Sequence, residues 1–128
     1  MNNKPNKLSS SEIEERNKYF RSALNREKQH RWKEALENYR MSLRIDANFF
    51  DSWLNAGAIY SRMGKAEKAI VCYQRALISQ EDKRALYNLA SEYFKVAKYI
   101  QAQRLLYRAL NIDRGFVPAH LLLGYVLG

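Results

Sequence analysis

The chain has 128 residues, 47% of them hydrophobic, and 22 Lys and Arg stand against 13 Asp and Glu, a formal charge of +9. That size suits one domain with its own core, and a lone cysteine, Cys72, excludes an internal disulfide framework. No stretch approaches about 18 consecutive apolar residues, and MNNKPNKLSSS has no apolar centre of a signal peptide, so no membrane insertion and a cytoplasmic location are expected.

Residues 1 to 10 are polar and basic and are expected to be mobile. Ser11 followed by Glu14 has the spacing of a capping box, which predicts a first helix from about residue 12 to about 26. Apolar residues then recur at three- and four-residue intervals, predicting helices over 31–45, 50–62, 66–79, 83–95, 99–112 and 116–127. Asn111, Asp113, Arg114 and Gly115 read as a turn, and Pro118 is tolerated in the first turn of the last helix, where its missing donor would be unpaired in any case.

The middle of the chain sets the pattern. Trp53, Ala56, Gly57 and Tyr60 share one helix face, Ala69, Tyr73, Ala76 and Leu77 share another, and Met63-Gly64-Lys65 breaks the two. This predicts a helical hairpin in which Gly57 and Ala69 let the backbones approach. The pattern recurs: Ala35, Ala69 and Ala102 are spaced by 34 and 33 residues, and Ala23, Gly57, Ala90 and Gly124 by 34, 33 and 34. Such a period marks a repeat array.

In these residues the chain resembles the tetratricopeptide repeat family. The middle unit carries Trp53, Asn55, Gly57, Tyr60, Gly64, Ala69, Tyr73 and Ala76, with Ala56 where the family usually has Leu. The third carries Leu89-Ala90, Tyr93, Tyr99, Ala102, Leu106 and Ala109, and the first matches best in WKEALENYRMSLRID, with Ser42 in place of Ala. The resemblance implies an all-α, right-handed superhelical solenoid over residues 11–128. Its units are about 16–49, 50–82 and 83–116, followed by a partial unit over 117–128, with first helices on the concave side.

The resemblance also implies a function: a non-enzymatic scaffold that holds a protein or peptide in the concave groove. The matching positions are Asn17, Phe20, Leu24 and Lys28, then Asp51, Leu54, Ala58, Ser61 and Arg62, then Arg84, Tyr87, Ser91, Phe94, Lys95, Leu121 and Tyr125. Aromatic and aliphatic groups beside cations suit an acidic segment with apolar anchors. One subtype of the family grips a terminal carboxylate with Lys, Asn and Arg, but here Phe20 and Leu24 replace a lysine and an asparagine, and Asn88 replaces the last cation. That clamp is not expected.

Two other functions are open at this point. The stretch FVPAHLLLGYVLG is apolar around most of its circumference, which predicts a longer chain covering it, self-association through Leu122, Leu123 and Val126, or a folding back of the chain over it. A basic surface could also bind nucleic acid, but the positive excess is spread evenly over both halves, and Tyr39, Tyr73 and Tyr99 recur at core spacing instead of forming stacking platforms. Catalysis is not expected. His30 and His120 lie in different units, Cys72 has no CxxC or histidine beside it, and Glu34 and Glu37 read as helix-surface charges near Lys33 and Arg40. No Gly-rich loop predicts a nucleotide site, so no cofactor or metal is expected.

Overall fold

A computed structural model describes residues 7–128. These form seven helices: α1 (Ser10–Lys28), α2 (Trp32–Ile45), α3 (Phe50–Arg62), α4 (Ala66–Ser79), α5 (Lys83–Lys95), α6 (Tyr99–Ile112) and α7 (Val117–Leu127). Closest packing joins α1 to α2, α3 to α4 and α5 to α6, so the chain is three hairpins and a further helix. Successive hairpins join through α2 with α3 and α4 with α5, and α6 receives α7. Of the expected mobile segment, residues 1–6 lie outside the described residues, and Ser10 already opens α1.

The start of α1 differs from expectation. Ser9 caps it and not Ser11: the Ser9 hydroxyl accepts from the Glu12 amide at 3.1 Å, and the Glu12 carboxylate accepts from the Ser9 amide at 2.8 Å. Both serines have a glutamate three residues on. With Ser9 as the cap, Leu8 and Ile13 occupy the two positions of a hydrophobic staple, whereas Ser11 would place Ser10 and Glu15 there. The remaining helices begin and end within a residue of the predicted bounds.

The same turn closes each hairpin. His30, Gly64 and Ala97 have φ of 60°, 75° and 63°, and the next residue's amide donates five residues back: Arg31 to Arg26, Lys65 to Tyr60 and Lys98 to Tyr93, at 2.8–2.9 Å. A left-handed residue at this place ends a helix and turns the chain back on itself, which costs a residue with a side chain more than it costs Gly64.

Inside the hairpins, small residues meet large ones. A Cβ at Gly57 would lie 2.5 Å from Cε1 of Tyr73, whose ring is buried. Ala23 with Tyr39, and Ala90 with Leu106, repeat the combination in their own clusters, all fully buried. Between units, Ala76 and Ala85 are fully buried, as are Ala109 and Ala119; the corresponding place between the first two units holds Ser42 and Ser52, 2.6 Å apart. The Ser42 hydroxyl also donates to the Tyr39 carbonyl at 2.7 Å. Two hydroxyls that satisfy one another can replace two methyl groups in a core, whereas one alone would be left unpaired.

Gly124 sits where Gly57 sits, one helix beyond the last hairpin, and nothing lies within 4 Å of a Cβ there. Opposite effects are therefore expected from one substitution at two repeat-equivalent places. Gly57→Ala forces the Tyr73 ring aside and lowers stability by about 1–3 kcal/mol. Gly124→Ala meets open space and raises stability by up to about 1 kcal/mol through helix propensity. Urea unfolding followed by circular dichroism measures both.

Candidate functional site

From the second unit on, first helices gather on one side of the stack: α3 touches α5 and α5 touches α7, whereas no comparable contact joins α1 to α3, α2 to α4 or α4 to α6. The groove residues expected from the sequence are therefore carried by successive helices of the closer-packed side, but they differ in how they are used.

In α1, Asn17 is half-buried and its Oδ1 accepts two hydrogen bonds from Arg16, whose guanidinium also pairs with Asp46 at 2.8 Å and lies 4.1 Å from the centre of the Phe49 ring. Phe20 is half-buried between Tyr39 and Phe49, with ring centres 5.7 and 5.4 Å away. Leu24 opens with Glu27, Trp32 and Arg62 onto a cavity of about 310 Å3. Leu54 is buried in the larger core cluster and offers the groove almost nothing. Tyr87 is half-buried against that cluster and meets Phe116 edge-on at 6.0 Å, and Phe94 rests on Tyr99 at 5.5 Å.

The cations are less free than their sequence positions imply. Arg84 is exposed but pairs with Asp82 at 3.0 Å and leans over the Phe50 ring at 5.6 Å. Burial opposes the Asp82 charge, and hydrogen bonds from the Arg84 side chain and backbone outweigh it, holding the carboxyl below its usual range. Lys95 donates to Ser61 at 3.0 Å and to Glu92 at 3.2 Å. Arg62 lies 5.5 Å from the Trp32 ring centre and forms no ion pair among the described residues. Lys28, its equivalent one unit earlier, is exposed and also forms no ion pair among the described residues, so these two are the groove cations most available to a carboxylate.

Sequence reasoning did not single out Glu92. It is 2% exposed, its Oε2 accepts from Ser61 at 2.5 Å, and its Oε1 is buried with no hydrogen-bond partner. The equivalent place one unit earlier is Ile59, and that break in the apolar pattern was the available signal. Asn55 also has a structural task. Its Nδ2 donates at 3.1 Å to the Tyr39 hydroxyl, which itself donates to Glu27 at 2.7 Å. Burial, then the Glu27 hydrogen bond and charge, push the Tyr39 ionisation well up, so the phenol stays protonated.

On α7, Leu123 is buried and Leu122 and Val126 are half-buried, all packed against the larger core. The open apolar surface is made instead by Val117, Leu121, Tyr125 and Leu127, with Tyr125 74% exposed. A helix that is apolar all round has inner and outer apolar faces, and periodicity does not say which one the preceding hairpin covers.

Among the described residues no group of three His, Cys, Asp or Glu is placed to hold a metal, and no helix is long and apolar enough to cross a membrane. Burial pushes the Cys72 thiol up to about 11, away from a reactive thiolate.

A tetratricopeptide repeat family model matches residues 50–82 and 83–116, together just over half of the chain. The chain belongs to the tetratricopeptide repeat family. The photosystem I assembly protein Ycf3 of Synechococcus sp. (strain CC9311) is 37% identical over 62 residues, which are 46% of this chain and 36% of that protein, so the matched part spans about a third of the relative. Among solved structures, the first TPR of Spaghetti (RPAP3) bound to HSP90 peptide SRMEEVD superposes with a TM-score of 0.85, 18% identity and 93% of each chain covered. The Yersinia enterocolitica type III secretion chaperone SycD in complex with a peptide of the translocator YopD gives 0.82 at 17% identity, over 92% of this chain and 94% of that one. At these identities the likeness establishes the fold.

Replacing Glu92 tests how this side of the stack is held. Glu92→Ile copies the preceding unit and removes an unpaired buried oxygen, so stability is expected to hold or to rise by about 1 kcal/mol. Glu92→Ala removes the same carboxylate but leaves a void, and is expected to be about 2–3 kcal/mol less stable than Glu92→Ile, with Lys95 still donating to Ser61 in both. Thermal and urea unfolding of the two variants separate these outcomes.

Proposed function

We propose that the chain is a non-enzymatic interaction module that holds an extended peptide or protein segment along the groove of its first helices. The observation that carries this reading is the presentation of partly open rings and aliphatic chains at repeat-equivalent first helices, Phe20 and Leu24 on α1 and Tyr87 and Phe94 on α5, with Arg62 on α3 between them. A preformed surface of this kind spares the partner's binding energy the cost of ordering the receptor. Support by analogy comes from two proteins of the same fold whose solved structures hold peptides, one of them carrying the acidic run EEVD.

The partner we infer has apolar anchors and carboxylates, because the groove floor is aromatic and the chain carries +9. The reduced, buried Cys72 suits a reducing compartment, and the cytoplasm is the setting we infer. A second reading rests on the open surface of Val117, Leu121, Tyr125 and Leu127, which would support self-association through α7.

Selection from a displayed random library of peptides about twelve residues long is expected to enrich Leu or Phe together with Asp or Glu. Amide shifts of the labelled chain on adding the best peptide are expected in α1, α3 and α5. Arg62→Glu is expected to weaken that peptide about tenfold without changing the melting temperature. Shifts confined to α7 that grow with chain concentration would favour the self-association reading, and unaltered binding by the charge-reversed variant would contradict the groove.

A further inference from the structure

The opposite side of the stack holds a second recess, and the repeat itself shows why it is there. Between α2 and α4, floored by α3, lies a cavity of about 540 Å3. The corresponding recess between α4 and α6, floored by α5, measures about 360 Å3. Two of the residues that line the smaller recess are Leu89 and Leu105. Their equivalents 33 residues earlier are Ala56 and Cys72, both buried at the base of the larger one. Each exchange removes side-chain volume from the base of the recess. Ala56 departs from the family pattern, and here that departure leaves room.

The walls of the larger recess are ordered. Trp53 donates its indole N–H to the Ala47 carbonyl at 2.8 Å, and the Arg75 guanidinium lies 5.4 Å from the Trp53 ring centre. Trp53, Tyr60 and Cys72 continue into an adjoining recess of about 370 Å3 beside the exposed Val71. An apolar trough thus extends beyond a single hole.

Its rim differs in charge from the rim of its counterpart. Lys33, Arg40, Arg44 and Arg75 surround the larger recess, and Glu37, paired with Arg40 at 3.4 Å, is the acid among its lining residues. Lys33, Arg44 and Arg75 form no ion pair among the described residues. At the smaller recess Gln74 replaces Arg40, Ile78 replaces Arg44, and Glu81 neutralises Arg108 at 2.7 Å. The residue equivalent to Glu81 beside the larger recess is Ala47, so Arg75 has no such partner. Arg104 is left without an ion pair at the smaller recess, against Lys33, Arg44 and Arg75 at the larger, so one recess is both emptier and the more basic. These two departures from the repeat coincide in space.

We propose that the recess between α2 and α4 binds an acidic peptide segment by taking up one large apolar side chain over Ala56 and Cys72, while flanking carboxylates meet Lys33, Arg44 and Arg75. Charge complementarity selects this occupant. A neutral apolar ligand would leave the cations unused, and a purely anionic one would leave the cavity unfilled. Leu54 and Ala56 are about 200° apart around α3, so this site and the first-helix groove are separate surfaces. One chain can therefore hold two segments, or two parts of one partner, at the same time.

The test uses two capped peptides, Ac-EEEFEEE-amide and Ac-EEEGEEE-amide, titrated into the whole 128-residue chain carrying Trp32→Phe, so that Trp53 reports by fluorescence. The phenylalanine peptide is expected to bind at least about tenfold tighter than the glycine peptide. Ala56→Leu, which copies Leu89, is expected to remove that preference while keeping the melting temperature, and Cys72→Leu serves the same purpose should Ala56→Leu fail to fold. Arg44→Glu with Arg75→Glu is expected to weaken both peptides at least about tenfold. Arg62→Glu, on the other surface, should leave the binding that Trp53 reports unchanged for both, whatever either peptide does at the first-helix groove. Equal binding of the two peptides, no binding of either, an undiminished preference in the filled variant, or sensitivity to Arg62→Glu would each overturn the proposal. Failure of the first-helix groove would leave these outcomes unaffected.

Discussion

The close approach of two helices within each hairpin is the contact on which the rest of the structure depends. At Gly57 the Tyr73 ring occupies the space a Cβ would need, so the two backbones come nearer than residues with side chains at that place would allow. The first and last hairpins reach the same end with Ala23 and Ala90 facing larger partners. Once the pairs are locked, first helices can meet on one side of the stack, as α3 does with α5 and α5 with α7, and the second helices are left apart. Both candidate surfaces follow from that asymmetry: a shared side where α3, α5 and α7 meet, and a parted side where a recess opens between α2 and α4.

Much of this was legible in the sequence because the spacing of Ala, Gly and Tyr reports directly on packing. A residue that must be small in three successive units reveals the hairpin and its register. What spacing could not report was which neighbour covers a given face. Leu54 occupies a groove position by register and is buried because the adjoining units close over it, whereas Leu121, at the same register in the partial unit, is exposed. Leu122, Leu123 and Val126 looked like an open end, yet they are the face α7 turns to the core. Charge pairing was equally hidden. Arg84 and Lys95 read as groove cations, and each is engaged by an acid, Asp82 and Glu92, with Lys95 held further by Ser61 on another helix.

Departures from the repeat proved more informative than agreements. Ser42 in place of Ala made sense once Ser52 lay across from it, because two hydroxyls that bond to one another tolerate burial together. Arg16 with Asp46 and Lys83 with Asp113 form the same pair at equivalent places two units apart, each with a phenylalanine ring under the cation. Such pairs tie the start of a unit to the turn at its end. The loss of Leu at Ala56 has no compensating bulk, and a cavity remains.

Native-state hydrogen exchange across a denaturant series would show whether three interlocked hairpins form one cooperative body to which α7 is held from one face. Amides of α3, α4 and α5 are expected to exchange only through global unfolding, converging on one free energy, while α7 opens at a lower one. Amides of α7 as protected as those of α4, or hairpins that open independently of one another, would contradict that arrangement.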